Sequence, residues 1–231
     1  MEDGGVRLNK LIAESGLCSR READRLISEG RVTLRGRAAS LGDRAASADA
    51  VLVDGAELPS RTGKVYIALH KPVGVVCTCD PRERDNVISY VGHERRLFPV
   101  GRLDKDSSGL LILTNDGDVV NRVLRASFGH EKEYVVRADR PVTDEFLGGM
   151  RSGVSILGRT TLPCEAERIS EREFRLVLTQ GLNRQIRRMC EALGYGVAGL
   201  HRVRVMGVRL GRLKPGHWRN LTDAEIGGLW E

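Results

Sequence analysis

The chain has no apolar run approaching the roughly 18 residues of a membrane-spanning helix, and its opening MEDGGVRLNK has no signal-peptide core. Membrane insertion and secretion are therefore not expected, and the protein is expected in the cytoplasm with its thiols reduced. Cysteine is sparse: five residues, Cys18, Cys77, Cys79, Cys164 and Cys190, odd in number, scattered and without a CxxC pair. That spacing argues against a structural zinc site. Cys77 and Cys79, one residue apart, are expected on one face of a strand. There are only four tyrosines. Neither an internal repeat nor a low-complexity tract is present.

The 231 residues suffice for one large domain, or a small one joined to a larger one. With 41% hydrophobic and 29% charged residues a folded globular protein is expected. The formal net charge is +6, and arginine far outnumbers lysine. Arginine's planar fork suits phosphate, so the balance points toward a polyanionic partner. Between Asn183 and Arg219 nine Lys or Arg face a single acid, Glu191. Ile186, Met189, Leu193, Val203 and Val205 recur through that segment, so it is a basic surface on a folded region. A nucleic-acid partner needs such a footprint, and a merely solvated face would read the same way.

The first sixty residues read as a separate unit. Leu8, Leu11 and Ile12 mark a helix closing near Gly16. Ser19-Arg-Arg-Glu22 is a capping-box pattern for a second helix that runs through Leu26 and Ile27 and stops near Gly30. Short strands follow at Val32–Leu34 and Val51–Val53, with turns at Arg35-Gly36-Arg37 and Asp54-Gly55. Pro59–Gly63 reads as a linker. Beyond it, strands are expected at 65–70, 73–78, 97–100, 110–114, 134–136, 174–178 and 203–208. Helices are expected at 86–91, 146–150, 185–193 and 224–229, with another running through Val119, Val123 and Leu124 behind Asp118. Thr222 and Glu225 form a second capping-box pattern. Strands and helices do not alternate strictly, so the fold class is α+β with a mixed, largely antiparallel sheet and flanking helices.

Three constellations could carry chemistry. In GRLDKDSSGLLILTNDG, residues 101–117, the acids Asp104, Asp106 and Asp116 surround an apolar run. Asp116, before Gly117, reads as a turn residue and Asp106 as an exposed loop acceptor. Asp104, directly after Leu103 at a strand end, needs a partner if buried, and spacing leaves it open between catalysis and structure. Asp104-Lys-Asp106 is also a DxD, but no neighbouring His/Glu cluster supports a metal. In QGLNRQIRRMC, Asn183 is expected to cap a helix whose apolar face is Ile186, Met189, Cys190 and Leu193. Arg187 either pairs with Glu191 on the surface or reaches inward to a carboxylate. In HEKEY, Tyr134 is either a platform for a base or a core tyrosine.

These three motifs, in their order along the chain, resemble those of RNA pseudouridine synthases of the RsuA/RluF type. LNKLIAESGLCSRREADRLISEGRVTLRG resembles the S-four RNA-binding domain found at the N-terminus of such enzymes. The match runs from about Val6 to Leu229, and ERDN, GRLDKDS, HEKEY and LNRQIRRMCE are most similar to the RluF subfamily, which acts on large-subunit ribosomal RNA. The resemblance implies an S-four-type domain over 1–61 and a catalytic domain over 62–231. It makes Asp104 the nucleophile, Tyr134 the residue stacked on the target uracil, Arg187 the salt-bridge partner of Asp104, and Leu200 the apolar contact on the base's other side. Arg102 would hold the flipped nucleotide, and Arg184, Arg188, Arg20, Arg21 and Arg25 would meet phosphates. The implied protein is a monomer that isomerises uridine in a 23S rRNA stem-loop, and in a tRNA anticodon arm, without metal or cofactor. An arginine beside the aspartate would lower its pKa by about 1–3 units and keep it ionised. Ser107 stands where many members carry threonine, and the sequence ends soon after Trp218-Arg-Asn-Leu221, without the long basic tail of some relatives. A non-catalytic RNA-binding or ribosome-assembly protein, and a nuclease, are the competing readings of the same basic surface.

Overall fold

The computed structural model describes residues 5–46, 48–59, 63–124 and 129–230. Residues 60–62 of the expected linker, and with them the expected boundary between 61 and 62, lie outside the described residues. The chain packs as two compact units. One takes the sequence up to Lys64 together with Glu94–Arg96, and the other takes Val65–His93 and Leu97 onward. Among the described residues no helix is long and apolar enough to cross a membrane.

The N-terminal unit contains β1 (Val6–Arg7), α1 (Leu8–Glu14), α2 (Arg20–Ser28), β2 (Val32–Leu34), β3 (Arg37–Ala38), β4 (Arg44–Ala45), β5 (Val51–Val53) and β6 (Ala56–Glu57). Its helices bury Leu8, Leu11, Ile12, Ala23, Leu26 and Ile27 against Val32, Leu34, Val51 and Val53 of a four-stranded antiparallel sheet. Ser19 caps α2 by accepting the Glu22 N–H at 3.1 Å, one half of the expected capping box, while the Glu22 carboxylate accepts from Arg25 instead.

The larger unit contains β7 (Tyr66–Lys71), α3 (Val87–Val91), β8 (Phe98–Val100), β9 (Ser108–Thr114), α4 (Gly117–Leu124), β10 (Lys132–Ala138), α5 (Asp144–Ser152), β11 (Ser155–Ile156), β12 (Arg159–Thr160), β13 (Glu165–Arg168), β14 (Glu173–Leu178), α6 (Gln185–Ala192), β15 (Val197–Val205), β16 (Val208–Arg209), β17 (Trp218–Asn220) and α7 (Asp223–Gly227). The main sheet runs β13-β14-β10-β15-β9-β7-β17, with β8 beside β9 and β16 beside β15. Every pairing in it is antiparallel except β9 with β15.

The apolar run LLILT is apolar because β9 is covered on both faces. Leu110 and Ile112 join Val119, Val123 and Val205 on one side, while Leu111 and Leu113 join Ile67, Leu69, Val75 and Leu103 on the other. A third cluster packs α5 and α6 onto β10, β14 and β15 through Phe146, Met150, Phe174, Leu176, Met189 and Leu200. Tyr134 touches this cluster and the one formed by Leu103 and Leu111. It stands where the two halves of the sheet meet.

Four local expectations fail for identifiable reasons. Residues 73–78 form no strand beyond a single bridge from Val76 to Asn86, because the chain turns at Gly74 (φ +95°) after Pro72. Cys77 and Cys79 are thus not strand residues, and Cys77 is buried while Cys79 is exposed. Residues 203–208 are not one strand but a hairpin, reversed at Met206 (φ +51°). Asn183 does not cap α6; Arg184 occupies that position in left-handed conformation without a side-chain cap. Asp116, expected in a plain turn, is buried, takes the Tyr66 hydroxyl at 2.6 Å, and accepts the Asp118 N–H at the start of α4. Asp118 therefore lies in the first turn of α4, one residue inside the end it was expected to cap.

The parallel junction turns on Gly109, opposite Arg202. Its φ is +111°, and a Cβ there would lie 2.2 Å from the Arg202 carbonyl oxygen. Gly117, by contrast, has open space around it. Gly109→Ala is expected to cost about 3 kcal/mol or more by combining backbone strain with steric overlap. Gly117→Ala is expected to be neutral or mildly stabilising. Urea denaturation of both variants checks the contrast.

Candidate active site

The loop between β8 and β9, residues 101–107, carries the acids, and its backbone is held from several directions. Lys71, at the end of β7, is 0% exposed, and its Nζ donates to the carbonyls of Pro72 and Ser107, both at 2.8 Å. Burial pulls the Lys71 pKa down, against the opposing pull of Cys77, Asp104 and Asp106. The Gly74 N–H donates to the Lys105 carbonyl at 2.8 Å, and the Leu103 N–H to Cys77 Sγ at 3.4 Å. On the far side Arg202 donates Nε to Leu110 O at 2.8 Å and Nη1 to Arg102 O at 3.4 Å. His201 Nδ1 lies 2.9 Å from Ser108 Oγ. Burial, then the nearby His70, lowers the pKa of His201.

Helix α6 contributes the arginines. Arg187 does not pair with Glu191; it reaches inward. Its Nη2 lies 3.0 Å from Asp106 O, 3.3 Å from Ser107 Oγ and 3.2 Å from Asp106 Oδ2, while Nη1 donates to Val197 O at 3.2 Å. The salt bridge expected between Arg187 and Asp104 is thus not what forms. Arg184 answers Asp104 instead, with Nη1 3.7 Å from Oδ2, and it also donates to Asp106 at 3.3 and 3.4 Å. The reason is backbone geometry: Arg184, at φ +48° just before the helix, projects over both carboxylates, whereas Arg187 is absorbed by loop carbonyls. Asp106 is therefore not a free residue on the loop's outer face. Burial pushes its carboxyl up, but the hydrogen bond from Arg184 and the charges of Arg187 and Arg184 outweigh that and hold it below the usual carboxylate range.

A cleft of about 750 Å³ opens beside this loop. It is lined by Arg102, Asp104, Tyr134, Arg184, Arg187 and Leu200, six of the residues singled out from the sequence. Asp104 is a third exposed at its side chain (32%), so it faces the cleft rather than the core. Tyr134 and Leu200 offer a flat aromatic and an apolar surface on neighbouring strands. Arg188 points elsewhere, donating to Asn183. Arg20, Arg21 and Arg25 are exposed on α2 of the N-terminal unit, where Arg25 pairs with Glu22 and Glu29. Among the described residues there is no group of three or more His, Cys, Asp or Glu that could hold a metal ion.

Lys71 was missed by sequence reasoning, although a lysine closing the largely apolar strand Tyr66–Lys71 was the available signal. Lys132 and Arg202 were missed too; Arg202 lies two residues after Leu200, and so on its face of β15.

Against protein-family models, residues 65–192 match "RNA pseudouridylate synthase" and residues 6–51 match "S4 domain". The chain belongs to the RNA pseudouridylate synthase family. It is 52% identical to the dual-specificity RNA pseudouridine synthase RluF of Escherichia coli K12 over 233 aligned residues, covering all of this chain and 80% of that one. It is 34% identical to the ribosomal large subunit pseudouridine synthase B of Bacillus subtilis, covering 95% and 93%. A crystal structure of a pseudouridylate synthase superimposes with a TM-score of 0.71 at 30% identity, covering 97% of this chain and 99% of that one. An N-terminal S4 domain followed by a synthase fold on a mixed sheet is thus the family arrangement here. The family's reaction, uridine to pseudouridine in RNA through an aspartate nucleophile and a flipped base, is the chemistry this cleft has to be measured against.

The arginine clamp has a pH signature. Because Asp106 titrates lower in the folded protein than in the unfolded chain, its ionised form adds stability above the unfolded carboxylate value of about 4. That contribution disappears as pH falls through the folded pKa. Asp106→Asn is expected to lower stability at neutral pH and to flatten the curve below about pH 4. Chemical denaturation as a function of pH checks this, and parallel curves for the two proteins would contradict it.

Proposed function

We propose that this chain, as a cytoplasmic monomer, converts uridine to pseudouridine in a stem-loop of 23S rRNA, with a tRNA anticodon arm as second substrate. The observation that carries the reading is the meeting of Asp104, Tyr134, Leu200 and two arginines in one cleft. The printed name of the E. coli relative, dual-specificity RNA pseudouridine synthase, and the large-subunit synthase from B. subtilis support the choice of RNA.

In the proposed mechanism a target uridine leaves its stack, at a cost of roughly a few kcal/mol. Stacking on Tyr134, with Leu200 on the other side, recovers about 1–3 kcal/mol of that. Asp104 attacks C1′: a carboxylate oxygen bonds to C1′ while the C1′–N1 pair leaves with the base. The base turns, C5 attacks C1′, the carboxylate departs, and the C5 proton is lost to a base while N1 regains one. The product is an isomer of the substrate, so no redox partner or group donor enters the balance. Arg184, with Nη1 3.7 Å from Asp104 Oδ2, is the opposite charge beside the attacking carboxylate. Arg102, exposed at the rim, holds the flipped nucleotide, and Arg188 with Arg20, Arg21 and Arg25 meets phosphates, which position RNA without reading its sequence.

Asp104→Asn is expected to abolish tritium release from RNA labelled at uridine C5 while leaving RNA affinity within about twofold. Substantial turnover in that variant would overturn the assignment. Mass-spectrometric mapping of 23S rRNA and tRNA from a strain lacking the gene should show a lost pseudouridine in each. An unchanged complement would favour a binding or assembly role, and cleaved RNA a nuclease.

A further inference from the structure

Arg202, beyond its hold on the acid loop, and Lys132 have no part in the mechanism above, yet both line the cleft. Arg202 is 3% exposed and lies directly opposite Tyr134 in the antiparallel pairing of β10 with β15. Opposed residues on one sheet face have Cβ atoms about 4.5–5.5 Å apart, so the two side chains start as neighbours on one wall of the cleft. Lys132, two residues before Tyr134, lines the same wall. Arg202 spends Nε and Nη1 on the carbonyls of Leu110 and Arg102, and its buried Nη2 has no hydrogen-bond partner. Lys132 donates only to the His130 carbonyl, at 3.2 Å. Among the described residues neither cation forms an ion pair with a carboxylate.

A buried arginine and a half-buried lysine lining one cleft without an acid are costly, since each disfavours the other and both are at least partly desolvated. Burial, and then the charge of Arg202, do depress Lys132. Such an arrangement is useful where negative charge arrives during a reaction, because fixed donors in a dry site stabilise it without reorganising.

We propose that Arg202 and Lys132 form a subsite for the carbonyl edge of the target uracil and stabilise that ring as an anion once it is detached. This rests on the reading of the cleft as the synthase site. When C1′–N1 breaks, the bonding pair stays with N1 and spreads onto O2 and O4, while C1′ is taken by the Asp104 carboxylate. In this subsite a base stacked on Tyr134 would turn its carbonyl edge toward Arg202, the residue paired with Tyr134 across the strands. The exposed Arg102 and Arg184 are the groups at hand for phosphate. The charge returns to Asp104 when C5 bonds to C1′ and the carboxylate leaves.

Lys132→Met and Arg202→Lys test the subsite in the intact chain on a 23S stem-loop RNA. Each variant is first checked for an unchanged thermal midpoint, and Lys132→Met carries the test if Arg202→Lys fails to fold. At saturating RNA the single-turnover rate of Lys132→Met is expected to fall by about tenfold or more, with affinity changed by less than about twofold. Lys132→Arg, which restores the charge, is expected to recover most of the rate. A phosphate contact would instead weaken affinity and lower the slope of log K against log salt by about one with the rate unchanged, and would overturn the proposal. So would a folded Lys132→Met with wild-type rate and affinity. Asp104→Asn run alongside separates the two claims: if it too turns over normally, the reading of the site fails, and not this subsite alone.

Discussion

The crossing of β15 over the start of β9 is the constraint on which the rest of the active site depends. At Gly109 the two backbones are so close that no side chain fits between them. That contact sets Arg202 against the acid loop, where it holds the carbonyls of Arg102 and Leu110, one on each side of the acids. Lys71 grips Ser107 from beneath, and Arg187 grips Asp106 and Ser107 from the helix. Three cations are thus held mainly by main-chain oxygens, although Arg202 Nη2 and Arg187 Nε have no hydrogen-bond partner and Arg187 also reaches the Asp106 carboxylate. A buried amine or guanidinium is costly unless hydrogen-bonded, and loop carbonyls are obligatory acceptors, so each removes the other's penalty.

The division of labour between the two arginines of α6 follows from this. Arg187 is largely consumed by holding the loop, and Arg184, at the strained residue before the helix, is the one poised above both carboxylates. Asp106 draws the stronger set of contacts, which leaves Asp104 with one longer ion pair and a face toward the cleft. A loosely held acid is better suited to attack than one locked in a fork.

Much of this was legible in the sequence where the signal is local. LLILT announced a strand buried on both faces, Ser19 and Thr222 announced helix starts, and the order of elements gave a mixed, largely antiparallel sheet. Asp104, Tyr134, Leu200, Arg184 and Arg187 do line one cleft. What stayed hidden depends on partners distant in sequence. Whether Arg187 meets Asp104 or Asp106 differs by a few ångströms that no spacing encodes. Asn183 looks like a helix cap until the left-handed turn at Arg184 takes the position. Lys71 and Arg202 look like ordinary charges because the carbonyls they serve lie 36 and 92 residues away. The Gly74 turn after Lys71-Pro72 broke a run of β-favouring residues that periodicity alone would extend.

The parallel junction at Gly109 also has a consequence in time. The acid loop is fastened by groups from β7, from α6 and from β15, and the last of these joins a strand that begins 93 residues earlier. Closing so long a loop carries an entropic toll that local hairpins such as β15–β16 escape, and non-local pairing slows folding. During synthesis the loop bearing Asp104 follows β7 but is made well before α6 and β15, so the Asp104 carboxylate acquires its geometry only once β15 has been added.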